Sequence, residues 1–187
     1  SDRTGLALSG GTVSIEGTPA TTTLDATGRA ALPTALPQNW TRLEKPGFSS
    51  VWRSAALQVG GVSAVVDVRP TPLETGQDAG PTSFSGTFAG GGCKVTFPAA
   101  GLSGTGKLSL TPLSTQGLPG LTPAGWSTLA GAWLQLEGVA ISSPGTLDFP
   151  LPQGAPEQDM VWAHWDEMKH VWVALGTGLT KGQLVAL

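Results

Sequence analysis

Apolar and polar residues alternate in short runs along this chain, and nearly every run stops at Gly, Pro or Asp. Thr12-Val-Ser-Ile-Glu16 puts Val13 and Ile15 on one side of an extended backbone and three polar residues on the other. Thr21 to Leu24 leads into Asp25-Ala-Thr-Gly28, a turn whose glycine can take a positive φ, and Arg29 to Leu32 follows, stopped by Pro33. Thr41 to Glu44 runs into a second turn, Lys45-Pro-Gly-Phe48. Val51 to Val59 and Val62 to Val68 read as strands around Gly60-Gly61, a dipeptide suited to a tight hairpin. Further on, Phe84 to Phe88 and Lys94 to Phe97 flank Gly90 to Gly92, and Lys107 to Thr111 alternates cleanly. Thr128 to Leu136 carries Trp133 among apolar residues, and Gly145 to Phe149 alternates again.

The period of two over short runs predicts an all-β chain with little helix. Between Thr71 and Pro81 there is no periodicity, only two prolines and two glycines in the middle of a polar run. This divides the chain into two tandem β-sandwiches, 1–73 and 82–187, joined by a linker at 74–81.

One segment resists the pattern. Glu157 to Leu175 runs for nineteen residues without Gly or Pro, and Val161, Trp165, Met168, Trp172 and Leu175 fall 4, 3, 4 and 3 apart. That stripe fits an amphipathic helix. The competing reading is a hairpin, with Asp166 to Lys169 as the turn and Val- and Trp-rich flanks that favour strands. The all-β surroundings favour the hairpin, the periodicity favours the helix, and the sequence leaves both open. With Trp165 opposite His170, the residues Ala163, Trp165, His170 and Trp172 share one face, and Trp162, His164, Val171 and Val173 share the other.

Composition narrows the chemistry. Only 12% of residues are charged and 40% are hydrophobic, so the chain can bury a core, and 187 residues suffice for one large or two small domains. A net charge of −3 with dispersed Lys and Arg argues against nucleic acid and against binding to an anionic lipid surface. No apolar run approaches the roughly 20 residues of a membrane-spanning helix. The lone Cys93 has no internal partner and reads as a small buried hydrophobe. Low charge with abundant Thr, Ser and Gly suits an exported bacterial protein, and the abrupt ends suit a fragment of a longer chain.

The histidines and carboxylates form no recognisable catalytic or metal pattern. His164 and His170 are expected on opposite faces of the hairpin, and HxH, HxxxH and CxxC spacings are lacking. There is no G-x-S-x-G elbow. His164-Trp-Asp166 lacks the hydroxyl nucleophile of self-cleaving sandwich domains, and Asp25-Ala-Thr-Gly28 lacks the alternating carboxylates of a calcium loop. Asp166 and Glu167 are expected to solvate a turn. No cofactor, metal site or catalytic residue is assigned.

Two resemblances follow from particular stretches. Gly10-Gly-Thr-Val-Ser-Ile-Glu-Gly-Thr18, Thr22 to Arg29, Leu32-Pro33 and Leu43-Glu-Lys-Pro-Gly-Phe-Ser49 resemble the carboxypeptidase regulatory-like (transthyretin-like) domain over residues 5–73. Ala30 stands where that family usually places a core aromatic, and Trp40 is expected to restore the volume. Val95 to Pro98, Leu108 to Leu113, Gln116 to Pro119, Gly125 to Ser127, Leu147 to Pro152 and the hairpin segment resemble a β-sandwich module of large secreted Rhs/YD-repeat proteins. The resemblance implies a non-catalytic module beside a larger shell or adhesive region.

Seven Trp with no Tyr then carry the remaining functional weight. Their first expected role is to fill cores and domain interfaces otherwise short of large residues. The alternative is a carbohydrate- or partner-contacting face built from Trp162, Trp165 and Trp172. The expected function is a structural or interaction module, a spacer, cap or adhesive support at the bacterial surface, whose partners are neighbouring domains of its own polypeptide.

Overall fold

The computed structural model describes all residues except 2, 35–37, 57–60, 66–67, 89–91, 151–159, 178–180 and 185–187, with backbone alone at 38, 177 and 181–184. The chain is all-β: thirteen strands and one short 3-10 turn at Thr115–Gly117 among the described residues.

The first four strands, β1 (Thr12–Ile15), β2 (Thr21–Thr23), β3 (Gln38–Glu44) and β4 (Val51–Ala56), form an antiparallel sheet in the order β2-β1-β3-β4. Alternation works here as the sequence predicts. Val13 pairs with Leu43 and Leu43 with Val51, and all three side chains are buried. Leu8, Val13 and Leu43 form the centre of a small core over which Leu24, Leu32, Phe48 and Val68 pack.

Both predicted turns are present. Asp25 Oδ1 accepts from the backbone N–H of Thr27 and Arg29, and Gly28 takes φ 75°. Phe48 N–H bonds to Lys45 O across Gly47 at φ 79°. Two expected strands are absent: Arg29 to Leu32 and the described part of 62–68 carry no ladder. Arg29 N–H turns back to its own turn's Asp25 instead, and Val62 stands fully in solvent, where alternation has no core to serve. The Gly60-Gly61 hairpin lies partly outside the described residues.

The second half stacks two sheets. One has the order β13-β10-β7-β6, from β6 (Phe84–Phe88), β7 (Cys93–Phe97), β10 (Gly145–Asp148) and β13 (Lys181–Leu184). The other has the order β5-β8-β9, from β5 (Gln77–Ala79), β8 (Leu102–Pro112) and β9 (Ala132–Ile141). Their inward residues make the larger core, with Val95, Phe97 and Leu108 wholly buried and Leu102 and Leu110 at 1% exposure. Cys93 lies in this core, and burial pushes its thiol pKa up, as suits a small apolar side chain.

Strand β8 departs from simple alternation. From Leu108 to Thr111 every residue is buried, because β5 and β9 flank the strand and Glu74 covers its other face, donating its N–H to Thr111 Oγ1 at 2.8 Å. The stretch 71–81 is accordingly bonded along most of its length. Thr71 exchanges bonds with Ser49, Leu73 N–H reaches Gly47 O, and β5 pairs with β8. Contact passes from the first sheet's turn to the second half's sheet between Leu73 and Glu74.

The last pair, β11 (Val161–Asp166) and β12 (Val171–Thr177), is the hairpin. The helical stripe read from the same residues is not used. Its register is offset by two from the expected one: Trp165 faces Trp172, and the loop is Glu167 to His170. Asp166 explains the offset. Its Oδ1 accepts from the N–H groups of Met168 and Lys169 at 3.0 and 2.9 Å, which requires the aspartate to precede the loop. An even offset keeps Trp165 and Trp172 on one predicted face and Trp162 and His164 on the other, while His170 falls in the loop.

Candidate functional site

The site begins with strand parity. Leu43 and Val51 point to the small core, so Trp40 and Arg42 on β3, with Trp52 and Ser54 on β4, point to the opposite face of the sheet. Trp40 therefore does not refill the core volume missing at Ala30. It stands away from Leu8, Val13 and Leu43, and its ring stacks on His170 from the hairpin, centroids 4.7 Å apart and 17° from parallel.

The hairpin supplies the facing wall. Trp165 and Trp172, paired across the ladder, meet edge to face at 5.5 Å. Trp165 also meets Trp40 at 6.0 Å and Trp52 at 6.4 Å, and Trp133 of β9 stacks on Trp52 at 6.5 Å. Five of the seven tryptophans thus form one continuous seam joining the first sheet, β9 and the hairpin. Each such pair contributes about 0.5–1.5 kcal/mol beyond the area it buries. His170 reaches the seam because it takes φ 54° at the end of its loop, an uncommon conformation for a residue with a side chain.

Polar groups lock the seam. Arg53 is 3% exposed, and its guanidinium donates to the carbonyls of Trp52, Leu118, Pro119 and Gln116 at 2.8–3.4 Å. Trp52 N–H donates to Pro119 O, so the open edge of β4 is closed by the 116–119 segment. On the other side of Trp52, its Nε1 donates to Glu16 Oε1 at 3.3 Å, and the Arg42 guanidinium lies 4.9 Å from the ring centre. Trp172 Nε1 donates to Leu121 O at 3.1 Å. Gly120 fits beneath Trp165 because it has no Cβ; a methyl there would overlap the six-membered ring.

Where the two walls part, they leave a pocket of about 240 Å³. Its floor and one side come from Trp40, Trp52, Arg53 and Ser54. The hairpin provides Trp165, His170, Val171 and Trp172, and the loop after Gly120 adds Leu121 and Pro123. The rim is open: Leu121 is 67% exposed, Val171 45%, and Ser54 is exposed. Trp165 Nε1 is a buried donor with no acceptor among the described residues, and so is Trp162 Nε1 on the opposite face.

The three tryptophans expected to form a contact face divide accordingly. Trp165 and Trp172 line the pocket, whereas Trp162 turns to the larger core and packs on Phe149 at 5.7 Å. Both faces of the hairpin are occupied. Sequence reasoning missed Trp40, Trp52, Arg53 and Ser54 as partners of this face, although parity along β3 and β4 aligns three of them.

The titratable groups are spread out. His170 stacks on Trp40, and His164 lies across the hairpin by register. Asp166 is held below its ordinary pKa chiefly by the Lys169 N–H bond, and Asp25 likewise by the Arg29 N–H bond, so both are ionised turn anchors at neutral pH. Among the described residues no group of three metal-ligating side chains converges, and no helix is long and apolar enough to cross a membrane. The chain matches no family model, no curated protein and no solved structure.

Proposed function

We propose that the chain is a non-catalytic structural and interaction module of a large exported bacterial protein, a spacer, cap or adhesive support beside a larger shell. The motifs at 5–73 and 82–187, similar to transthyretin-like and Rhs/YD-repeat-associated sandwiches, support this reading. The observation that carries it is the lock between the halves: a buried Arg53 spent on four backbone carbonyls, three of them in the 116–119 segment, under a tryptophan seam. A joint so constructed transmits position and load between its neighbours, because moving it exposes unpaired carbonyls and apolar rings together.

Single-molecule stretching from the two ends tests this. The wild-type chain should yield in one high-force event that includes the first sheet and the second half. Independent extension of 1–73 at low force, with the remainder holding, would remove the load-bearing role.

A further inference from the structure

Beyond its role as a joint, the seam has the makings of a binding site. We infer that the pocket between Trp40, Trp52, Trp165, His170 and Trp172 receives a single neutral sugar ring, a pyranose carrying free hydroxyls.

Size comes first. At about 240 Å³ the pocket falls below the roughly 300–1,000 Å³ of drug-sized sites, so it takes one ring rather than an extended ligand. The wall chemistry then selects the kind of ring. The partly exposed indoles of Trp40, Trp165 and Trp172 offer electron-rich faces that attract the slightly positive C–H bonds on the face of a saturated sugar, while Trp52, 2% exposed beneath Arg42 and Trp133, only closes the wall. Such faces repel anions, and the Arg53 guanidinium is engaged by carbonyls. An organic cation, the usual guest of an aromatic cage, is disfavoured by Arg53 in the wall and by Arg42 already over Trp52. None of the ten lining residues is a carboxylate that would balance such a cation.

Polar anchors for hydroxyls are also present. Ser54 stands exposed at the rim and His170 supplies ring nitrogens. A purely apolar guest would leave these groups desolvated and unpaired.

The test is a titration followed on the indole N–H resonances of the intact ¹⁵N-labelled chain, seven in the wild type. The probes are methyl glycosides of glucose, galactose, mannose and N-acetylglucosamine, then short soluble oligosaccharides of each, with choline as the cationic control. At least one sugar should give saturable shifts of Trp165 and Trp172 while Trp126 and Trp162 stay fixed. Equal affinity for glycoside and oligosaccharide places the ring at a chain end, and preference for the oligosaccharide places it within a chain. Ser54→Trp and Val171→Trp, both at exposed rim positions, should each weaken binding about tenfold or more by filling the mouth. No saturable shift with any sugar, choline bound more tightly than every sugar, shifts confined to Trp126 or Trp162, or full binding by both folded rim variants would overturn the assignment.

Discussion

Arg53 is the residue on which the molecule's two halves most plainly depend. A buried guanidinium is costly unless it is well hydrogen-bonded, and here carbonyls of Trp52, Gln116, Leu118 and Pro119 accept from its two terminal Nη groups. Arg53→Met keeps much of the apolar stem and removes the charged donors to these carbonyls. We expect a loss of roughly 3 kcal/mol, a fall in Tm of about 10 °C for a chain of this size. A thermal melt monitored by circular dichroism reads it directly, and an unchanged Tm would show that these bonds are dispensable. Nothing in the sequence marks Arg53. It lies in a strand between Trp52 and Ser54 like any surface arginine, and three of its four partners are main-chain carbonyls more than sixty residues away.

Among the elements, the hairpin was largely readable. Val and Trp on both flanks gave its strands, and Asp166 gave its turn, though only the geometry of Asp166 fixes where the loop starts. The faces survived a wrong register because the offset was even. The first sheet was readable where a core rewards alternation, at Val13, Ile15 and Leu43, and misread at Arg29 to Leu32 and in the described part of 62–68, where no ladder forms. Trp40 shows the limit of local reasoning. Its parity was legible, but the hairpin that covers it comes more than a hundred residues later.

Contact between elements is tightest where Gly120 lies under Trp165. Gly120→Ala should push the indole off the loop, open the Trp165–Trp40 contact and destabilise the chain by about 1–3 kcal/mol. The conservative control is Gly125→Ala, since a Cβ at Gly125 meets nothing nearby and is unfavourable only for its φ of 86°. Near-ultraviolet circular dichroism, which reads coupled indoles, should change strongly for Gly120→Ala and little for Gly125→Ala. Equal spectra for the two would mean that Trp165 is not seated as described.

At the scale of the whole molecule, two hydrophobic cores would ordinarily melt as two units. Three features couple them. The 71–81 stretch is bonded to both halves, the edge of β4 is closed by the 116–119 segment, and the hairpin packs Trp162 on the larger core and Trp165 on the first sheet. Each contributes a few kcal/mol at most. Against marginal domain stabilities of about 5–15 kcal/mol, their sum suffices to make unfolding of one half destabilise the other. All-β character was evident from composition and spacing, whereas this coupling was not, because it arises from rings and carbonyls distant in sequence.

The most direct measurement is scanning calorimetry of the intact chain. Tight coupling predicts one transition whose calorimetric and van't Hoff enthalpies agree. Two resolved transitions, each with its own enthalpy and unmoved by Arg53→Met, would contradict it.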